Sequence, residues 1–184
     1  GISLVITQGE NYKVVVNSGS NLIDDITVNV YNGMLVLKDE TTCNWVRDYG
    51  QTIVYVTAPN LTEIHSKTEQ NIISNGLVTF PNLLLAAMDD NDGVSGAGTG
   101  DFIFQVNNDN LILESNNVSR FAITGQTNNL SLHVWEGNGI IDTQNLAAKS
   151  IQFYHRGSND IFINPILSLY GDIYNVGNVI CYSK

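Results

Sequence analysis

The C-terminal part of the chain, from Leu111 to Lys184, repeats a short pattern of alternating apolar residues. Its clearest copies are Leu111-Ile-Leu113, Leu130-Ser-Leu132 and Ile151-Gln-Phe153, followed by a reduced copy at Leu169. The offsets between equivalent positions are therefore similar from copy to copy. Alternation with a period of two predicts β-strands, and a repeat of about 20 residues predicts a β-solenoid. Each unit is too short to bury its own apolar side, so successive coils have to stack.

A second alternating segment follows a polar turn in each unit. These segments are Phe121-Ala-Ile123, Ile140-Ile-Asp142, Ile161-Phe-Ile163 and Val179-Ile-Cys181. Phe102 precedes Phe121 by the same offset as Leu111 precedes Leu130, so the pattern extends towards the N-terminus. An earlier coil is predicted from about residue 61 to residue 81. A longer insertion, Ala86 to Thr99, interrupts the next one and is expected to form a loop on one side.

The N-terminal segment, residues 1–58, is rich in predicted strands but lacks the short repeat. Asn32-Gly33 lies between two alternating segments and predicts a β-hairpin. We therefore expect residues 1–58 to form an N-terminal cap of antiparallel strands that covers the first coil. The predicted fold is all-β: a short-coil right-handed β-helix, or β-solenoid, of about six coils over residues 59–184, continuous with this cap.

Composition and charge exclude several classes of function. The formal net charge of −10 argues against nucleic acid and anionic membrane surfaces, which attract basic proteins. No apolar run approaches the roughly 20 residues of a transmembrane helix. Abundant polar turns with few charges favour an extracellular or periplasmic β protein over a cytosolic enzyme, and we expect a signal peptide to have been removed before Gly1. Cys43 and Cys181 are expected to be unpaired thiols rather than a disulfide.

Several stretches resemble a known family, the putative auto-transporter adhesin "head GIN" domain family, a domain of unknown function abundant in Bacteroidetes. The most specific are Pro59-Asn-Leu61-Thr-Glu-Ile64 and the closing Gly177-Asn-Val-Ile-Cys-Tyr182; the others are Val5–Val16, Val28–Leu37, Gly137-Asn-Gly139, Gly157–Ile161 and Gly171–Ile173. The resemblance covers nearly the whole chain. It implies a secreted or outer-membrane-associated β-solenoid, often made as a lipoprotein, and it carries over no catalytic or ligand-binding residue.

The repeat places several large side chains in columns outside the core. One column contains Trp135, Arg156 and Tyr174; a second contains Glu114, His133 and Tyr154; a third contains Ile141, Phe162 and Ile180. Stacked strands lie about 4.8 Å apart, so members of one column should touch. The first column then predicts a cation–π sandwich. The columns are candidates for a platform for sugar rings, a patch that binds a partner, or a ladder that only stabilises the last coils.

A run of oxygen-bearing side chains is a weak candidate for a metal site. It contains Asp89, Asp90 and Asp92 and ends at Gly93. The run does not fit the spacing of an EF-hand loop, because Met88 and Thr99 would occupy the first and last ligand positions. A solvated acidic loop is the favoured interpretation.

An enzyme is not favoured. Hydrolysis of a glycosidic bond with inversion needs two carboxyl groups about 6.5–9.5 Å apart, and Asp142 and Asp160 do not share a column. Asp101 is expected to form an ion pair with Arg120, one coil later. No Gly-x-Ser-x-Gly motif and no Cys–His pair is present. His155 falls on the apolar phase and is predicted to be a hydrogen-bonded core histidine rather than a ligand.

These observations predict a non-catalytic adhesin-like interaction module without a cofactor, with an unidentified surface protein or glycan as partner. Two alternatives stay open. One is a carbohydrate-binding or pectinase-like β-helix protein that uses the aromatic columns. The other is a structural subunit that forms a homo-oligomer through the same aromatic side chains. The candidate contact residues are Trp135, Arg156, Tyr174, His133, Tyr154 and Phe162.

Overall fold

The computed structural model describes residues 1–41, 52–89 and 96–182. In these ranges the only helical element is one 3-10 turn, Ile23–Asp25, so the all-β prediction is confirmed. The thirteen strands of the described chain are Ile2–Gln8 (β1), Lys13–Asn17 (β2), Ile26–Tyr31 (β3), Met34–Asp39 (β4), Thr52–Ala58 (β5), Glu63–His65 (β6), Ile72–Val78 (β7), Asn82–Ala87 (β8), Phe102–Ser115 (β9), Arg120–Val134 (β10), Ile140–His155 (β11), Ile161–Ile173 (β12) and Val179–Cys181 (β13).

Eleven strands form one mixed sheet, in the order β13-β12-β11-β10-β9-β7-β1-β5-β2, with β6 and β8 joined at the side of β9. Within this order, the strands β1, β7, β9, β10, β11, β12 and β13 follow one another across the sheet, and each is parallel to the next. Leu111 pairs with Leu130, Leu130 with Ile151, and Ile151 with Leu169, so the predicted offsets between these positions are confirmed. We call this series of parallel strands the ladder.

The second segment of one repeat has a different register from the predicted one. Phe121 pairs with Ile141 rather than Ile140, and Ile141 pairs with Ile161. The predicted offset is restored by an irregularity after Asp142, so that Thr124 pairs with Asn145. A bulge inserts one unpaired residue into a strand, and the apolar pattern alone does not show its position. The prediction that Ile141 faces outwards is therefore wrong, since its side chain is fully buried.

The N-terminal segment confirms the predicted strands and corrects their direction. The hairpin β3–β4 turns at Asn32 and Gly33, whose φ angles of 50° and 80° suit a two-residue hairpin turn. Strand β2 pairs antiparallel with β5. Strand β1, however, lies between β5 and β7 and is parallel to both, so the cap is not wholly antiparallel. The division between cap and repeats at residue 58 stays a prediction.

The core consists of inward-facing side chains stacked from strand to strand. Phe102 and Phe121 stack with their ring centroids 4.9 Å apart and an interplanar angle of 8°. Leu111, Leu130 and Ile151 form another buried column. Full burial of such a side chain stabilises the fold by about 1.5–3 kcal/mol. The inner face of the ladder is therefore buried, and its outward-facing side chains project from closely spaced strands.

Candidate functional site

Four aromatic side chains lie next to one another where strands β10, β11 and β12 end. Successive ring centroids are separated by 5.5 Å (His133–Trp135), 5.1 Å (Trp135–Tyr154) and 4.9 Å (Tyr154–Tyr174), with the rings tilted by about 40–45°. We call these four residues the aromatic strip. Trp135 and Tyr174 are 39% and 60% exposed, so the strip offers ring surface to solvent.

The strand register explains how the strip forms. His133 pairs with Tyr154, so these two side chains leave the ladder on the same side of adjacent strands. Trp135 and Tyr174 come directly after β10 and β12, and their backbone N–H groups donate to the carbonyl groups of Ser115 and His155 respectively. The strip is therefore held at its base by the backbone hydrogen bonds of the ladder.

Arg156 does not take part in the strip as predicted. It follows β11 as Trp135 follows β10, but the ring of Trp135 packs against Tyr154 instead. Large aromatic rings reach diagonal neighbours across a pair of strands as well as direct ones. The predicted Trp135–Arg156–Tyr174 cation–π sandwich is therefore wrong. The exposed Arg156 guanidinium makes no ion pair or ring contact with any residue in the described ranges.

Two carboxylates adjoin the ends of the aromatic strip. Nδ1 of His133 lies 2.8 Å from Oε1 of Glu114, which confirms contact within the predicted second column. At the other end, the Asp172 carboxylate raises the pKa of the Tyr174 phenol above its ordinary value, because a second negative charge next to it is unfavourable. The strip thus combines ring faces with a carboxylate at each end.

Phe162 lies outside the strip. It is half-buried, pairs with Asp142 and Ile180 on neighbouring strands, and contacts the ring of Tyr182 with centroids 6.3 Å apart. The predicted third column therefore survives only for Phe162 and Ile180. The role of all these side chains in binding stays a prediction.

The candidate metal ligand Asp89 forms hydrogen bonds within the protein. Oδ1 of Asp89 accepts hydrogen bonds from Nδ2 of Asn117 (3.0 Å) and from the Gly98 N–H (3.3 Å), which fastens the base of the insertion to the ladder. Asp90 and Asp92 lie outside the described residues. Within the described ranges no three His, Cys, Asp or Glu side chains come together as a metal site.

The predicted ion pair of Arg120 is wrong. Nη2 of Arg120 lies 2.9 Å from Oδ2 of Asp142, which is on the next strand of the ladder, rather than pairing with Asp101 on the preceding one. Asp142 is in that position because the register of β11 differs by one residue from the predicted one. Cys181 is an exposed free thiol, in agreement with the prediction for this residue, and Cys43 lies outside the described residues.

His155 is a core histidine, as predicted, but it lacks the predicted hydrogen bonds. Its side chain is fully buried and neither ring nitrogen has a hydrogen-bond partner among the described residues. A side chain at Gly177 would collide with Nε2, so the turn after β12 passes very close to the ring. Burial lowers the pKa of His155, and the nearby Asn159 backbone and Asp160 carboxylate oppose this shift only in part.

A polar groove crosses the middle of the long strands, and the apolar pattern gave no indication of it. The cavity is open and has a volume of about 400 Å³. Its main polar residues come from three adjacent strands: Asn107, Asn108, Asp109, Gln126, Asn128 and Lys149. We call these six residues the polar groove. The groove could have been predicted from two polar segments, Asn107-Asn-Asp109 and Gln126-Thr-Asn128, which interrupt two alternating strands at equivalent positions.

The whole chain matches one known family. The model of the family described as putative auto-transporter adhesin, head GIN domain, matches residues 1–184. The chain belongs to this family. The resemblance seen in the sequence is therefore confirmed. A comparison with curated proteins gives no match.

Three solved structures that share the fold come from Bacteroides and Parabacteroides species. A putative adhesin from Bacteroides fragilis aligns with a TM-score of 0.81 at 19% identity, over 97% of this chain and 87% of that one. A putative lipid binding protein from Parabacteroides distasonis aligns with a TM-score of 0.58 at 15% identity, over 100% and 89%. A putative adhesin from Parabacteroides merdae aligns with a TM-score of 0.57 at 13% identity, over 98% and 88%. At these identities the similarity establishes the fold alone.

Proposed function

We propose that this head GIN domain protein is a non-catalytic adhesin-like interaction module that contacts its partner through the aromatic strip. The observation that carries the proposal is the row of four touching rings across three neighbouring strands. Exposed aromatic side chains combine large contact area with few rotatable bonds, and they are enriched in binding surfaces. The four rings also pack against one another, so little side-chain freedom is lost on contact.

The ladder supports a solenoid. Strand β10 has 15 residues and would extend about 50 Å if it were straight. Only residues 135–139 connect it to β11, and a connection of that length reaches at most about 18 Å. For β11 to pair in parallel with all of β10, each strand has to bend so that the chain returns to its starting point. We infer that the repeats wind as short coils, in the right-handed sense that parallel connections prefer.

A secreted, periplasmic or outer-membrane-associated location fits the family. The described residues contain no helix that is long and apolar enough to span a membrane. An exposed strip of aromatic rings on an acidic protein suits contact with another molecule at the cell surface, where adhesin-like proteins act.

A non-catalytic role has support from the carboxylates. Asp142 is engaged with Arg120, and Oδ1 of Asp160 accepts hydrogen bonds from the backbone N–H (2.9 Å) and Nδ2 (2.8 Å) of Asn178. These bonds lower the pKa of Asp160, which opposes the protonated state that a general acid needs. Neither group is therefore suited to acid catalysis of glycoside hydrolysis.

The test compares two exposed aromatic residues. Wild type, Trp135→Ala and Tyr55→Ala are screened on a glycan array and on immobilised cell-envelope fractions. Tyr55 is 41% exposed on β5, close to the 39% of Trp135, and serves as the matched control. We expect at least one glycan or envelope fraction to bind wild type and Tyr55→Ala but not Trp135→Ala. Equal binding of all three proteins to every glycan and fraction would exclude the strip as the contact surface, and the class of ligand that Trp135→Ala loses would separate a glycan from a protein partner.

A second candidate function is self-assembly through the last strand. The part of β12 after Ile163 has only β11 as a neighbour in the described chain, and it exposes Ile166, Leu167 and Tyr170. An unpaired strand edge with apolar side chains is a site of association. If this candidate is correct, sedimentation velocity shows a concentration-dependent oligomer in wild type that Leu167→Asp abolishes. A monomer at all concentrations would exclude it.

A further inference from the structure

We propose that the polar groove is a second binding site and that its ligand is an oligosaccharide chain. The groove runs across the strands of the ladder rather than along them. Its lining extends from the turn between β7 and β8 to β12. Adjacent strands are about 4.8 Å apart, so four steps of the ladder give a length of about 20 Å. That length suits an extended chain of several linked rings.

The side chains in the groove provide donors and acceptors in matched rows. Nε2 of Gln126 donates to Oδ1 of Asn107 (3.0 Å), and Nδ2 of Asn128 donates to Oδ1 of Asp109 (2.7 Å). Each of these bonds uses one hydrogen-bonding group and orients the amide, so that its remaining donors and acceptors are available to a ligand. Rows of amides that both donate and accept suit the hydroxyl groups of sugars, which do the same.

Asn108 lies behind the groove rather than on its open face. It is only 8% exposed and alternates with the exposed Asn107 and Asp109, so its side chain shares the inward phase of Phe104 and Val106. The amides that a ligand can reach are therefore those of the outward-facing Asn107, Gln126 and Asn128, beside the carboxylate of Asp109.

Charge and polarity exclude the other ligand classes. The polar groove contains one carboxylate, at Asp109, and one ammonium group, at Lys149, in a chain with a net charge of −10. A nucleic acid needs a basic surface, so it is not a candidate. A peptide that adds a strand to a sheet needs an unpaired strand edge, whereas β9, β10 and β11 are paired on both sides. The amide-rich lining also disfavours a lipid chain.

Lys149 indicates where a charged sugar would be placed. Its side chain is exposed and forms no ion pair or hydrogen bond with the residues that the structure describes. A uronic acid in the chain would bring its carboxylate to this ammonium group, whereas a neutral chain would use the amides alone. The two sources of hydroxyl-rich ligand therefore differ in their dependence on Lys149.

The proposal is tested by titration of the isotopically labelled protein in two-dimensional NMR with cellohexaose, hexagalacturonate and chitohexaose. We expect at least one probe, at millimolar concentration, to shift the signals of the polar groove. Gln126→Ala should then raise the Kd about fivefold, the effect of losing one hydrogen bond. Lys149→Met should weaken hexagalacturonate and leave the neutral probes unchanged.

The matched control is Gln152→Ala. Gln152 also faces outwards on the ladder and donates to the preceding strand, to Ser131 at 2.7 Å, but it lies outside the groove. This variant and Trp135→Ala should bind the probes like wild type, so failure of the aromatic strip and failure of the groove give different results. No shift with any probe, or an equal loss of affinity in Gln126→Ala and Gln152→Ala, would overturn the proposal.

Discussion

The two ends of the sheet, at β5 and at β12, are covered to different extents. At the first end, β2 adds an antiparallel strand to β5, and Ile26, Leu35 and Leu37 of the hairpin pack against the core. Val54 on β5 is fully buried as a result. At the last end, β13 covers only the first residues of β12, and the inward-facing Leu169 is 39% exposed. Each strand of a parallel sheet is stabilised by the strands on both sides, so most of β12, which has a neighbour on one side only, receives about half of this stabilisation.

The difference shows where the protein can accept a partner. At the first end β2 and the hairpin cover β5, although β2 is itself an edge strand and exposes Val14 and Val15. At the last end the apolar side chains of β12 are exposed beside Tyr174 of the aromatic strip. Contiguous exposed apolar surface often marks an interaction site. The following predictions compare equivalent changes in the closed and the open parts of the molecule.

The largest effect is expected from shortening leucines of one column. Leu130→Ala removes a buried side chain between two strands and should lower the free energy of unfolding by about 3 kcal/mol. Leu169→Ala changes the same position on the last strand and should cost about 1 kcal/mol, because part of that side chain is already in water. Urea unfolding measures both values. Equal losses would mean that the last strand is covered in solution.

The second largest loss of stability is expected from a charge in the hairpin β3–β4, which covers part of the core near β5. Leu37→Asp places a charge where the hairpin packs on the core and should destabilise the protein by about 2 kcal/mol. Leu167→Asp makes the same change on the open strand and should alter the stability of the monomer by less than about 0.5 kcal/mol. Thermal unfolding of the two variants at low concentration distinguishes them. A large loss in Leu167→Asp would contradict an open last end.

Much of this comparison could be predicted from the sequence, because it depends on local patterns. Alternating residues gave the strands, and the column Leu111, Leu130, Ile151 and Leu169 gave the register of the long strands. Asn32-Gly33 gave the hairpin, since few residue pairs adopt two successive positive φ angles. These features need no knowledge of distant contacts.

The parts of the structure that were not predicted depend on features that the alternation of apolar and polar residues does not contain. The bulge after Asp142 shifted one register and with it the partner of Arg120 and the environment of Ile141. The direction of β1 depends on its pairing with β5, which lies far away in the sequence. The sequence indicated which aromatic side chains cluster, but the diagonal contact of Trp135 with Tyr154 depends on side-chain rotamers.

A pH-dependent effect is expected near the open end. Burial lowers the pKa of His155 in the folded state, whereas the unfolded chain has an ordinary pKa of about 6.5. Between these two pKa values the unfolded state binds more protons, so stability is fully present above about pH 6.5 and is lost as the pH falls through this window.

The matched variant is His155→Val, because Val134 occupies the equivalent position one strand earlier. Urea unfolding over pH 5 to 8 should show a smaller decline of stability on acidification in this variant than in wild type. His65→Val, which changes an exposed histidine, should retain the wild-type profile. Identical profiles for all three proteins would rule out the buried neutral histidine as the cause.

The smallest effect concerns hydrogen bonds between outward-facing side chains. Asn110 donates to Asn82 (2.6 Å) and accepts from Asn129 (2.9 Å) inside the ladder, so Asn110→Ala should cost about 1 kcal/mol. Ser168 donates only to Ser150 (2.9 Å) on the last strand, and Ser168→Ala should cost about 0.5 kcal/mol or less. Chemical denaturation of both variants gives the order. The reverse order would contradict weaker support at the last end.

Hydrogen–deuterium exchange of the wild-type monomer tests the central claim most directly. The claim is that β5 near the first end is covered by β2, whereas most of β12 at the last end has no covering strand. We predict slow exchange for β10, β11 and β5, which have partners on both sides, and fast exchange for residues 166–173 of β12. Protection of residues 166–173 equal to that of β10 would show that the last strand is covered, and would contradict an open surface beside the aromatic strip.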